Sequence, residues 1–439
     1  MHCETAADAL GRLEGLVGAR TGVVTKLIGA RHTGLFWDGV ELFNGSTGDL
    51  SRLYPGTRYV RQNNALHLVG SGCDVDVHAA RLKAIMETLE RYASAVVPEA
   101  EIVFTTAKRL GPDSFDWRTL PELHVRPHVG GAWRKYPFDP DEALRWVRGF
   151  NVTTGRDVYV PLVATRIHLA ASEAESFMPQ STAGIAAHFG LENATLSALY
   201  EIIERDAVES VWAARLPLPR IDTRCFADRQ LQSFAHLDEN LLVDQRYYDA
   251  SNEFEVPVVY AVRTLSSPIG NDVIVTASCH HNAEKAALKA RLDASGQQTM
   301  RVNEAHGYPY TRYPGMPGFL VTDQQHTWPD LSFLDAVPTT SDVSLGGVEP
   351  DSLDADTVRS RLNRLLNRFS NLGHEVILVD LSTDELAKFG VRVVKAFVPT
   401  LLTVPPSENQ RFLEHPRLLE KISRFRSSAN VNLAPQPFC

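Results

Sequence analysis

AARLKAIMETLERYASAV, residues 79–96, has the apolar spacing of an amphipathic helix. Leu82, Ile85, Met86, Leu89, Tyr92 and Val96 recur at helical spacing and share one face, which must be buried. Glu87 and Glu90 stand one turn apart at the shoulder of that face, followed by Arg91, in the order ExxER. The same arrangement returns in LSALYEIIERDA, residues 196–207. There Leu196, Leu199, Tyr200 and Ile203 form the apolar face, and Glu201, Glu204 and Arg205 form the motif. The copies share one helical phase and one constant offset, which implies a duplicated helix or two helices converging on one job.

Carboxylates at i and i+3 repel each other by a few tenths of a kcal/mol. One such copy alone reads as a common surface-helix string with each Glu paired to a nearby Lys or Arg, and two phase-matched copies at the shoulder of an apolar stripe bring the cation-site reading level with it. Four glutamates converging at the edge of a core would raise one another's pKa unless a cation lay among them. Mg²⁺ suits that role, being hard, oxygen-seeking and content with a few carboxylates plus phosphate oxygens. The following arginines can neutralise the cluster or grip phosphate. A third helix, residues 283–301, carries Asp293, Gln297 and Arg301 on one stripe, readable as a solvated face or a ligand contact. Gly296 inside it costs about 1 kcal/mol relative to Ala, and so suggests a close approach.

The chain has 439 residues, enough for one large composite domain or two to three lobes. A net charge of −9 argues against a general nucleic-acid binder. The five cysteines are scattered and form no CxxC, which reads as a reducing compartment without disulfide framework or structural zinc. No apolar run approaches the ~20 residues of a membrane span. The best, residues 393–404, is interrupted by Lys395 and Pro399. A cytoplasmic location is expected.

Strands are expected at 146–152 and 157–163 around the turn Thr154-Gly155, at 256–262 and 272–278, and at 375–381 and 391–398. A further helix is expected at 355–369. Gly70-Ser71-Gly72 reads as a turn before the first motif helix, but neither a full GxGxxG nor a P-loop is present. Residues 178–190, MPQSTAGIAAHFG, read as a small-residue loop in which Ser181 and His188 are candidate ligand contacts. Cys279-His280-His281 is a weak metal candidate, because neighbours on a strand face opposite ways. Helices and strands mix without a regular βα rhythm, which predicts an α+β fold.

With these residues in place, the sequence resembles the YcaO family. Three motifs carry the resemblance: SxxExxER, here Ala84-Ile85-Met86-Glu87-Thr88-Leu89-Glu90-Arg91; LxExxERD, from Leu199 to Asp206 behind STAGIAAH; and QxxxR, from Gln297 to Arg301. It extends from near Gly15 to the end, and Ala84 in place of the motif's serine is a departure. The resemblance implies an ATP-dependent enzyme acting on peptide backbone amides. Glu87, Glu90, Glu201 and Glu204 would hold Mg²⁺ against the phosphates of ATP, and Arg91, Arg205, Gln297 and Arg301 would bind the nucleotide. The implied layout is an N-terminal region over 1–60, an ATP-binding core over 61–405 and a tail over 406–439.

The ending Pro435-Gln436-Pro437-Phe438-Cys439 is similar to the PxP tail of azoline-forming members. By that likeness Pro435, Pro437 and the Cys439 carboxylate belong at the active site. The implied reaction converts Cys, Ser or Thr of a precursor peptide to thiazoline or oxazoline, through attack on the preceding carbonyl and phosphorylation of the resulting oxyanion. A separate E1-like leader-binding partner is expected, with a flavin-dependent dehydrogenase and a homodimer as further possibilities. Formation of a thioamide or macroamidine, or a non-catalytic docking scaffold, are the alternatives.

Overall fold

The computed structural model describes residues 5–30, 38–50, 67–97, 99–126, 132–241, 243–267, 270–305, 329–336, 355–407, 409–425 and 430–438. Helix α1 (Ala6–Arg12) is closed at its start by a Thr5/Asp8 capping box. Strands β1 (Val24–Gly29), β2 (Glu41–Thr47) and β3 (Val69–Asp74) form an antiparallel meander. Asp76 then accepts from the Ala79 amide and starts the first motif helix, α2 (Val77–Ala95).

Helix α2 buries two faces. Ile85, Leu89 and Tyr92 enter a core built around Phe115 and Trp146. Ala80, Ala84 and Thr88, also buried, lie flat on β3. This second face corrects the expected glycine turn, because Gly70 and Gly72 lie inside β3. A Cβ on Gly70 would stand 2.2 Å from the Thr88 amide nitrogen, and one on Gly72 would stand 2.3 Å from the Ala80 carbonyl oxygen. The glycines let the helix backbone touch the strand.

Strand β4 (Val103–Thr106) leads to the short α3 (Ala107–Leu110), then β5 (Leu123–Val125) and β6 (Arg134–Tyr136). Strands β7 (Ala143–Asn151) and β8 (Arg156–Pro161) form the expected hairpin, with Gly155 at φ 68° in its turn. Strand β9 (Ile185–Phe189) occupies part of the stretch expected to be loop and feeds the second motif helix, α4 (Leu191–Ala214). Next come α5 (Arg229–Asn240), a second meander of β10 (Val243–Asp249), β11 (Val258–Ser267) and β12 (Gly270–Cys279), and α6 (Ala283–Ala305). Helix α7 (Ala355–Asn371), β13 (Ile377–Asp380), α8 (Asp384–Ala387), β14 (Val391–Phe397), β15 (Gln410–Arg411) and α9 (Pro416–Phe425) complete the described elements. The Pro- and Tyr-rich stretch 308–318 lies outside the described residues.

The largest sheet runs β4-β7-β13-β14-β9, with β8 on β7. All pairings between the named strands are antiparallel, so the fold is α+β with mixed helices and several antiparallel sheets. Topology pairs β1-β2-β3-α2 with β10-β11-β12-α6, each a three-stranded meander followed by a long helix. The ExxER twin α4 instead follows the single strand β9. The likeness of α2 and α4 therefore reads as convergence on one site rather than as a repeated unit. Helix α4 is enclosed by apolar contacts, with Leu196, Leu199 and Ile203 in a second core beside Tyr260 and Phe369. Strand β9 packs against both α2 and α4, which brings the two motifs to one place.

Candidate active site

In α2, Arg91 reaches back one turn and sideways, donating to Glu87 at 3.0 Å and to Glu90 at 2.9 Å. Arg205 repeats this in α4, 3.1 Å from Glu201 and 3.6 Å from Glu204. Each carboxylate is also held by a backbone amide of a neighbouring strand or turn. The Ser71 amide donates to Glu87 at 2.9 Å, the Gly184 amide to Glu201 at 3.0 Å and the Cys279 amide to Glu204 at 3.2 Å. A hydrogen bond with the Ala187 backbone of β9 holds Glu90. Both motifs thus have the same build: an i,i+4 guanidinium on one side and a backbone amide on the other.

The two motifs feel each other's charge. Burial, then the Glu201 and Glu87 carboxylates, push Glu90 up to about 8 against the pull of Arg91. Glu204 is also raised, by burial first, with Glu201 and Asp293 acting the same way. Lys395 on β14, passed over in the sequence as a break in an apolar run, lies within reach of both motifs. Burial lowers it to about 8, while Glu201 and Glu90 oppose that shift. Its Nζ donates to the Ala183 carbonyl at 2.6 Å and so steadies the loop whose Gly184 amide holds Glu201.

Helix α6 closes the site from a third side. Lys289 Nζ stands 4.0 Å from Glu204 and 3.9 Å from Asp293. Asp293 accepts from Cys73 of β3 at 3.5 Å. A Cβ on Gly296 would meet Cys73 Sγ at 3.2 Å, so the glycine allows α6 to approach that strand. Arg301 donates to the Val273 carbonyl at 3.0 Å. The Gln297 Oε1 is buried with no hydrogen-bond partner, an arrangement that asks for a donor from a ligand or water.

The tail comes to the second motif. Phe438 bridges to Val275 of β12, and its ring lies 4.7 Å from the Arg205 guanidinium carbon. Pro437 is buried, Pro435 half-buried, and Cys439 lies outside the described residues. Contact with the motif is made through Phe438, which no spacing in the sequence singled out. His280 and His281 follow the end of β12, so strand alternation does not separate them. Their ring centroids lie 4.0 Å apart, beside Tyr200. His188 shares its Nδ1 hydrogen bond with the adjacent Phe189 carbonyl, and the Ser181 carbonyl accepts from Lys395.

Among the described residues, no three acidic, histidine or cysteine side chains converge as a closed protein cage for a metal would require. The glutamates form two pairs, each with oxygens backed by cations and amides. Such a set suits Mg²⁺, which completes its octahedron with phosphate oxygens and water. The surrounding arginines and lysines supply the charge a polyphosphate needs.

A family model described as YcaO cyclodehydratase, ATP- and Mg²⁺-binding, matches residues 71–402. An uncharacterized protein of Mycobacterium tuberculosis is 27% identical over 161 residues, covering 36% of this chain and 34% of its own length. The fold resembles a heterocyclase solved in complex with substrate and cofactor, with a TM-score of 0.76 at 19% identity, over 99% of this chain and 57% of that one. It also resembles YcaO from Methanopyrus kandleri bound with AMPPCP and Mg²⁺, with a TM-score of 0.61 at 18% identity over 90% and 91% of the two chains. A third likeness is to the E. coli microcin synthetase McbBCD complex with pro-MccB17 bound, with a TM-score of 0.59 at 14% identity over 94% and 96%. This chain thus spans about a third of the M. tuberculosis protein and little more than half of the heterocyclase chain. Because the family match covers well over half of the chain and contains both glutamate pairs and the QxxxR helix, the chain belongs to the YcaO cyclodehydratase family of ATP- and Mg²⁺-binding proteins.

Proposed function

We propose that this chain is an ATP-dependent cyclodehydratase that converts Cys, Ser or Thr residues of a ribosomally made precursor peptide into thiazolines or oxazolines. The observation that carries the reading is the seat of the tail, because Phe438 packs on Arg205 within the glutamate cluster. A peptide-like segment at the charged site supports chemistry on a peptide held there, rather than nucleotide hydrolysis alone.

Glu87, Glu90, Glu201 and Glu204 would hold Mg²⁺, and Arg91, Arg205, Gln297 and Arg301 would hold ATP. Bound ATP with Mg²⁺ supplies the phosphoryl group that makes the amide oxygen a leaving group. The protein's share is placement and charge. Arg91 and Arg205 would neutralise charge on the phosphoryl group, and the backbone amides fix the glutamates so that little reorganisation would accompany reaction. The peptide's thiol or hydroxyl, losing its proton, would add to the preceding carbonyl carbon and close the ring; the resulting oxyanion would take the phosphoryl group with release of ADP, and would leave as phosphate while the amide N–H proton is lost and the C=N bond forms. An E1-like partner that binds the leader peptide would deliver the substrate, and a flavin-dependent dehydrogenase could act on the product.

Mass spectrometry of a precursor incubated with the chain, its leader-binding partner, ATP and Mg²⁺ tests the reading. Loss of one water per modified residue supports it. A product with oxygen exchanged for sulfur, or an unchanged precursor, contradicts it.

A further inference from the structure

Behind the second motif, α4 carries another carboxylate with no part in the glutamate pairs. Glu209 follows Arg205 by one helical turn and is buried, 5% exposed. Arg411 on β15, 2% exposed, donates to Glu209 at 3.2 Å and to the Ala434 carbonyl of the tail at 2.7 Å. Gln436, the residue between the two tail prolines, donates its amide to the other Glu209 oxygen at 3.2 Å, and its own carbonyl oxygen accepts from the Phe438 amide at 3.4 Å. Trp212 donates to the same Ala434 carbonyl at 3.0 Å. These bonds form one chain from the motif helix to the aromatic ring on Arg205.

We propose that Glu209, Arg411 and Gln436 form a latch that seats the tail, so that Phe438 is held on Arg205 and the PxP segment stays at the active site. Glu209 and Arg411 are positioning residues: they act through the tail and touch neither phosphate nor peptide. A buried ion pair usually returns little net stability, because desolvation offsets the attraction. It does fix geometry, and here it fixes a nine-residue segment, 430–438, that has no helix or ladder of its own. The shared turn between Arg205 and Glu209 means that the tail and the second motif are placed by the same stretch of helix.

The catalytic part of this proposal rests on the cyclodehydratase reading; the seating of the tail does not. Hydrogen exchange of the peptide covering 430–438 measures seating, and turnover with precursor and partner measures the consequence. Glu209→Ala, and independently Gln436→Ala, which leaves the buried ion pair intact, should speed exchange of that peptide. Each should lower kcat by roughly tenfold while moving the KM for ATP less than about twofold. In a chain lacking residues 435–439, Glu209→Ala should cause no further loss. The exchange Glu209→Gln with Gln436→Glu keeps the hydrogen bond between the two positions with its direction reversed, leaves an amide oxygen at 209 to accept from Arg411, and should recover activity relative to Glu209→Ala. Unchanged exchange in both single variants, or an equal loss of activity with and without the tail, would overturn the latch. Raised exchange in the variants of an enzyme that makes no azoline would overturn the function and leave the latch standing.

Discussion

Glu201 is held from both sides, by Arg205 on its own helix and by the Gly184 amide, and it raises the pKa of Glu90 from across the site. Glu201→Gln keeps the volume and one of the two contacts, since its amide nitrogen cannot accept, and it removes a metal-binding charge. Peptide-dependent ADP release should fall by about a hundredfold or more. The thermal midpoint should stay within a few degrees, because the Glu201 side chain is partly exposed, at 23%, and Arg205 keeps Glu204 as a partner. Full activity in this variant would remove Glu201 from the site. The four glutamates and two arginines were legible in the sequence because a helix writes its faces as a period, and a repeated violation of the apolar face stands out. Lys395 and Phe438 were not legible. Each sits in an ordinary apolar context, and its role depends on what β14 or the tail is packed against. Gln436 was quoted only as the spacer between two prolines, and it makes the tail's contact with Glu209.

At the scale of elements, the contact between α2 and β3 places the first glutamate pair. It depends on Gly70 and Gly72, whose missing side chains let backbone meet backbone. Gly72→Ala should therefore destabilise by about 3 kcal/mol, since neither the Ala80 carbonyl nor the Ala84 amide can move without shifting the helix. Gly11→Ala in α1 is the control. Nothing lies within 4 Å of a Cβ there, so the change should be neutral or stabilise by up to about 1 kcal/mol. Urea unfolding of the two variants checks both; equal stability would mean that α2 does not lie on β3 as described. The same glycines were read in the sequence as a turn. Gly-Ser-Gly before a helix is common in phosphate loops, and one chain cannot distinguish freedom needed for a turn from space needed for a neighbour. Helix and strand positions with strong periods were recovered. The strand β9 was missed because its small residues, Ala186 and Ala187, carry almost no alternation signal.

For the molecule as a whole, acid should loosen the fold through its buried and half-buried histidines. Burial lowers His168, His188, His374 and His415, the last from 6.5 to about 4. A histidine depressed in the folded state contributes stability that is full above its ordinary pKa and is lost as pH falls toward the folded value. For His415 the window runs from 6.5 down to about 4, with a contribution of about 3 kcal/mol. His415→Asn, which can still accept from the Arg417 amide, should flatten that part of the stability profile relative to the parent. Parallel profiles from urea unfolding across the window would contradict the assignment. Among the described residues, no helix is long and apolar enough to cross a membrane. The family and α+β class were legible because three motifs lie in a fixed order. The sheet order was not, because β13 and β14 pair with strands more than a hundred residues earlier.

The central claim is that the paired glutamates, the QxxxR helix and the seated tail form one ATP-driven cyclodehydration site. Counting ADP released and water lost from the same precursor, in one reaction with the leader-binding partner present, tests it most directly. The two should rise together in fixed proportion, and both should vanish with Glu201→Gln. ADP release without loss of water, or loss of water that persists in that variant, would contradict it.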